Sequence, residues 1–197
     1  SFPTRRSSDL SPIGTFKMKQ ALLIIDVQND YFKDGKMELV NPEHALEKIN
    51  QLEYYFNQNN LPIIYIQHIN PASAGFFLEN TLGVELHPEL LLSDSSLVVQ
   101  KHFPNSFLKT NLQSMLQKLQ IEQLVITGMM THMCIDSGTR AACELGYQPI
   151  LIADATATRD LEYKNSIVKA SDVQSAFLSA LNVFAKVQNT SDFLNNQ

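Results

Sequence analysis

Two kinds of segment alternate along this chain. From residue 18 onward, short runs that are apolar almost throughout are separated by longer stretches in which apolar residues recur at helical spacing. The runs ALLIID (21–26), LPIIYIQ (61–67), SSLVVQK (95–101), QLVITG (123–128) and QPILIAD (148–154) lack the polar-apolar alternation of half-exposed strands. They read instead as strands buried on both faces, with 148–153 the core of the fifth. Such strands belong to parallel sheets, because βαβ crossovers lay helices over both sides.

Between the runs, residues 42–57 place Ala45, Leu46, Ile49, Leu52 and Phe56 on one stripe, with Asn41 as N-cap before Pro42. Residues 110–119, 134–145 and 171–181 behave the same way, and a weak sixth strand is expected at 183–187. The expected fold is α/β, a three-layer αβα sandwich with a six-stranded, mostly parallel sheet. The longest irregular stretch, 70–95, is a functional segment or holds a small helix.

Length and charge narrow the function. At 197 residues the chain buries a sheet on both faces without staples. A net charge of −5 with no clustered Lys or Arg disfavours nucleic acid and anionic membrane surfaces as partners. No apolar run approaches the ~20 residues that span a bilayer. Cys134 and Cys143, nine apart on one expected helix, lie about 13 Å apart along its axis, too far to bridge. A reducing cytoplasm is the expected location. Residues 1–17 carry no hydrophobic periodicity and no signal-peptide core. SFPTRRSSDL resembles the translation of a sequencing adapter, so 1–17 is expected to be a disordered, non-native extension and 18–197 the folded domain.

In an open parallel sheet, ligands bind beyond the carboxyl ends of the strands. Three reactive residues fall there: Asp26 ends the first run, Lys101 ends the third, and Cys134 opens the helix after the fourth. Taken singly, a strand-terminal Asp is more often a turn residue, and a lone Cys is more often packing. Together they suggest chemistry. A thiol at a helix N-terminus beside an ammonium is expected to have a lowered pKa. Asp26 would take the thiol proton and pass it to a leaving amine. Cys143 reads as packing.

The segments ALLIIDVQNDYF, VVQKHFPNSF, GVELHPEL, ITGMMTHMCIDSGTRAACELGY and DATATRDLEY resemble, in order, the isochorismatase-like superfamily of cysteine hydrolases, which includes nicotinamidases and ureidoacrylate amidases. The resemblance implies a catalytic triad of Asp26, Lys101 and Cys134. It also implies a cis peptide between Met129 and Met130, an oxyanion hole from the amides of Met130 and Cys134, and an oligomer. Two departures stand out. Gly138 replaces a common Thr, and IYIQHINP offers His68 without the Asp-x-His pair of metal-binding nicotinamidases. Chemistry without metal or cofactor is therefore expected.

Superfamily members that cleave isochorismate lack the cysteine, so the resemblance favours a small amide-type molecule as substrate, cleaved at a C–N bond through a thioester. Tyr31, Phe32, His102, Phe103, Phe107 and His132 are candidate substrate-binding residues, each equally readable as packing. The helix 134–145 and the Phe76-Phe77-Leu78 segment suggest a contact between copies. A nucleotide-binding fold is disfavoured because no Gly-rich phosphate loop follows a strand. Isochorismatase-type hydrolysis of another bond, and a catalytically silent binding protein, remain open alternatives.

Overall fold

The computed structural model describes residues 17–197. The expectation for 1–17 therefore falls, apart from Lys17, outside the described residues. Six strands form one parallel sheet in the order β3-β2-β1-β4-β5-β8. They are β1 (Gln20–Ile25), β2 (Ile63–His68), β3 (Leu97–Lys101), β4 (Gln123–Met129), β5 (Ile150–Ala157) and β8 (Lys186–Gln188). A separate antiparallel hairpin joins β6 (Leu161–Tyr163) to β7 (Ser166–Val168).

Every residue of β1 is buried, and its side chains divide between two cores. Leu22 and Ile24 face α1 (Pro42–Gln58) and α5 (Thr190–Asn195), whose Ile49, Leu52, Phe56 and Phe193 are inaccessible. Ala21, Leu23 and Ile25 face the side covered by α2 (Leu112–Lys118), α3 (Asp136–Glu144) and α4 (Ala170–Leu181). Two-sided burial is why the strand runs are apolar throughout. Each fully buried Leu, Ile or Phe contributes about 1.5–3 kcal/mol, so the α1 stripe alone outweighs any local propensity.

Several boundaries differ from expectation. Asn41 holds the N-cap position of α1 but adopts φ 52° and makes no capping bond through its side chain. β3 starts late because Ser93–Ser96 form a turn, with the Ser96 amide donating to the Ser93 carbonyl. The last strand covers 186–188 instead of 183–187, since the amides of Val183, Phe184 and Ala185 close the end of α4. β5 runs longer than expected and bulges. Between Ile126 and Gly128 of β4, which are two residues apart, the paired position on β5 advances from Leu151 to Thr156. The 70–95 segment carries two 3-10 turns, Ala72–Ala74 and Leu82–Val84.

Connections from β1 and from β4 leave toward opposite faces of the sheet. The covering face thus switches between these two adjacent parallel strands, which opens a crevice at their carboxyl ends.

Candidate active site

Four strands deliver polar groups to that crevice. β1 ends at Ile25, and Asp26 turns out of the strand at φ 55°. The last residues of β2 and β3, His68 and Lys101, are register partners. After β4 the Met129–Met130 bond is cis, at the position the resemblance implied. Gly128 just before it has φ 122°, and a side-chain carbon there would stand 2.0 Å from the Ile25 carbonyl oxygen, so only glycine permits β1 and β4 to approach here. The chain then makes a π-helical turn, Thr131–Ile135, that carries Cys134. This turn is closed onto Met130, whose carbonyl accepts the amides of Met133 and Ile135.

Asp26, Lys101 and Cys134 meet in this crevice. The Lys101 ammonium donates to Asp26 Oδ2 at 2.9 Å and to Cys134 Sγ at 3.3 Å, with both Asp26 and Lys101 inaccessible to solvent. The second carboxylate oxygen, Asp26 Oδ1, is buried and has no hydrogen-bond partner among the described residues. The thiol is not held as a thiolate. Burial pushes its pKa well up and the Asp26 carboxylate adds to this, while Lys101 only partly opposes them. This corrects the expectation of a lowered thiol pKa. Cys134 lies inside a buried π turn and α3 begins only at Asp136, so the thiol is not at that helix's N-terminus, and desolvation outweighs the ammonium. A neutral thiol beside an ionised carboxylate can pass its proton to that carboxylate as the sulfur attacks, which is general-base activation.

Asp26, His68 and Cys134 each present a metal-ligating atom, all within 4.8 Å of one another. The Lys101 ammonium already contacts all three, so a metal ion would have to displace it. As placed, the three ligating atoms hold the Lys101 ammonium.

Above these groups lies a cavity of about 170 Å³ lined by Tyr31, His68, Asn70, Phe76, Phe77, His102, Pro104, Met130, Met133 and Cys134. Of the six residues expected there, Tyr31 and His102 line it. The other four do not. Phe32 packs against the His87 ring at 4.2 Å, Phe107 stacks on Tyr147 at 5.9 Å, and Phe103 lies under the Lys109 ammonium. His132 turns away to bond Thr158 Oγ1 at 2.6 Å. Nearness in sequence to a reactive residue did not predict the facing side.

The wall that sequence reading missed is aromatic. Phe77 is buried and Phe76 half-buried, so neither offers the exposed ring expected to contact another copy. Phe77 has φ 54°, which breaks strand alternation and lets both rings approach Tyr31, at centroid distances of 6.1 and 4.5 Å. The helix 134–145 likewise offers little apolar surface, with Ile135 and Ala142 buried and Leu145 exposed at its end. Asp30 fixes the wall from below. Its carboxylate accepts the Phe77 amide at 2.7 Å and the Lys36 amide at 3.1 Å. Cys143 is free and half-buried, outside the crevice, and Cys134 is free as well.

The isochorismatase domain model matches residues 20–191. The chain belongs to the isochorismatase family of hydrolases. It is 45% identical over 179 residues to the uncharacterized isochorismatase family protein YddQ of Bacillus subtilis, covering 90% of this chain and 99% of that one. A crystal structure from Oleispira antarctica, assigned to the isochorismatase hydrolases, superposes with a TM-score of 0.87 at 41% identity, over 92% of this chain and 98% of the other. Nicotinamidase 3 of Arabidopsis thaliana is 26% identical over 151 residues, covering 70% of this chain and 73% of its own. No helix among the described residues is long and apolar enough to cross a membrane.

Proposed function

We propose that this isochorismatase-family hydrolase cleaves a small, uncharged amide or related C–N bond through a thioester at Cys134, without metal or cofactor. The observation that carries this reading is the contact of one buried ammonium with both Asp26 and Cys134 at the floor of a small cavity. In the first half-reaction, Asp26 takes the thiol proton while Sγ attacks the carbonyl carbon, and the amides of Met130 and Cys134 receive the developing oxyanion. Asp26 returns the proton to the departing nitrogen as the C–N bond breaks. Water then attacks the thioester, Asp26 accepts its proton, and the thiol is reprotonated as the acid leaves. Lys101 stays charged throughout and stabilises the carboxylate and the transient thiolate.

The cavity supports the substrate class. Its volume suits a molecule of about ten non-hydrogen atoms. Its walls are mostly aromatic rings, Met and Pro, and its polar side-chain groups are the Tyr31 hydroxyl, His68, Asn70, His102 and the thiol. Arg159 lies near Tyr31 and His132 without lining the cavity. The name of the nicotinamidase relative fits a small amide, as do two free cysteines with a reducing cytoplasm. Assembly into an oligomer, implied by the resemblance, would use surfaces other than Phe76 and Phe77. The β6-β7 hairpin exposes Tyr163 and Ile167. Sedimentation at micromolar concentration checks this part of the reading, and a clean monomer would remove it.

The main test is an ammonia-release screen over small amides, ureides and lactams. It is accompanied by iodoacetamide labelling of the native protein, in which general-base activation by Asp26 should make Cys134 react faster than Cys143 although burial keeps its resting thiol neutral. Equal, slow labelling of the two thiols together with a blank screen would favour a catalytically silent binding protein.

A further inference from the structure

His68 has no task in the mechanism above, yet it contacts the group on which that mechanism depends. β2 lies between β3 and β1, so Lys101 must cross the end of β2 to reach Asp26. His68, its register partner, stands beneath that crossing. The ammonium has three N–H bonds and three acceptors in contact, namely Asp26 Oδ2, Cys134 Sγ and His68 Nδ1. An ammonium donates and never accepts, so Nδ1 must carry a lone pair and the imidazole proton must sit on Nε2. There it has a partner, Asn70 Oδ1 at 2.7 Å. Asn70 is oriented in turn, since its Nδ2 donates to the Phe76 carbonyl at 3.1 Å and its amide to the Phe77 carbonyl at 2.9 Å.

We propose that His68, as the neutral Nε2–H tautomer, is a positioning residue that holds the third proton of the Lys101 ammonium and so fixes that charge between Asp26 and Cys134. Protonating His68 replaces the acceptor with a donor, and the ammonium loses its third anchor. The kinetic consequence rests on the proposed nucleophilic role of Cys134, whereas the tautomer does not. The ionisable groups facing His68 are Asp26 at the end of β1, Lys101 and His102 at the end of β3, and Cys134 after β4, with Tyr31 across the cavity. Burial lowers the His68 pKa below its ordinary value, Lys101 and His102 lower it further, and Asp26 and Asn70 oppose them. The neutral form therefore prevails near neutral pH, and the anchored state is lost as pH falls through the lowered value.

Two measurements on the full chain test this. Nitrogen-15 NMR of the imidazoles near neutral pH should show His68 protonated at Nε2 and bare at Nδ1, and a proton on Nδ1 would overturn the proposal. The second measurement is the rate of iodoacetamide alkylation of Cys134 between about pH 5 and 8 in wild type, His68→Asn and His68→Leu. Asn presents an oxygen close to the Nδ1 position and does not titrate. His68→Leu should slow alkylation by about tenfold or more, as loss of a hydrogen bond to a charged group implies. His68→Asn should recover at least about half of that loss on a logarithmic scale and lack the wild-type fall in acid. Equal rates in the two folded variants, or the same acid limb in wild type and His68→Asn, would overturn the proposal. If wild-type Cys134 reacted no faster than Cys143 while the Nε2–H tautomer was present, the hydrolase reading would fail and the His68 anchor would stand.

Discussion

The floor and the wall of the cavity are built on different principles. The floor consists of residues at strand ends: Asp26, His68 and Lys101 on three adjacent strands, with Cys134 on a turn closed onto Met130. Its polar groups are buried and bonded to one another, and the backbone that holds them belongs to the sheet. The wall, Asn70, Phe76 and Phe77, belongs to a long irregular segment. It is held by a few polar anchors, chief among them the Asp30 carboxylate on the Phe77 amide. The difference assigns tasks. A floor fixed by the sheet suits bond-making, and a wall fixed by replaceable hydrogen bonds suits the choice of substrate. Floor variants should therefore lower kcat and wall variants should raise KM, and a pattern that crossed these assignments would break the comparison.

After loss of the thiol itself, the largest effect is expected at Asp26. Asp26→Asn can neither accept nor return a proton, so turnover of any amide found in the screen should fall by roughly 10²–10⁴-fold with KM little changed. A rise in KM with kcat preserved would place Asp26 in binding instead. Lys101→Met comes next. It leaves the Asp26 carboxylate buried without its cation, which should cost about 3–5 kcal/mol of stability and lower the rate at every pH. Urea denaturation and a pH–rate profile check both parts, and a profile that merely shifted would argue against a permanent cation.

On the wall, Asp30→Ala removes the acceptor of the Phe77 and Lys36 amides, at about 1–3 kcal/mol for the buried Phe77 donor and less for the part-buried Lys36 one. Steady-state kinetics should show KM raised about tenfold with kcat within a fewfold. A collapse of kcat instead would mean the wall also orients the floor, through Asn70 and His68. A smaller effect concerns pH. Because burial and Lys101 lower the folded pKa of His68, its neutral form is favoured in the native state. Stability from this group is complete above the unfolded value and lost as pH falls through the folded one. Urea midpoints between about pH 7 and 5 should fall in wild type and fall less in His68→Asn. The smallest effect is expected at Gly138. A side-chain carbon there would lie 3.3 Å from Ile25 Cδ1, a flexible contact, so the gain in helix propensity of about 1 kcal/mol on Gly138→Ala should be mostly retained.

The same division decided what the sequence could disclose. Strand ends are legible because two-sided burial leaves an apolar run, and a polar residue that closes such a run is conspicuous. Asp26 and Lys101 stand out in that way, and the order of the sheet brings them together. His68 lies one residue past the apolar run 61–67, so the rule stops at Gln67, and a lone histidine there reads as a metal ligand. The sheet order, with β2 between β1 and β3, is what puts it under the Lys101 side chain. The wall was not legible, because Phe77 and Asn70 depend on a left-handed residue and on side-chain bonds to distant segments, which leave no periodicity. The β6-β7 hairpin escaped for a related reason: it is three residues long on each side and β7 is exposed throughout, so burial imposed no pattern on it.

The central claim is that the thiol of Cys134 forms the bond that replaces the amide. Ammonia release by Cys134→Ala, beside wild type and on the best substrate from the screen, tests it most directly. Removing one buried sulfur opens only a small cavity, so the variant should fold, which circular dichroism and a thermal melt verify. No release above the uncatalysed background is expected from the folded variant. Release at the wild-type rate would contradict the claim, and would transfer the chemistry to a water molecule directed by Asp26.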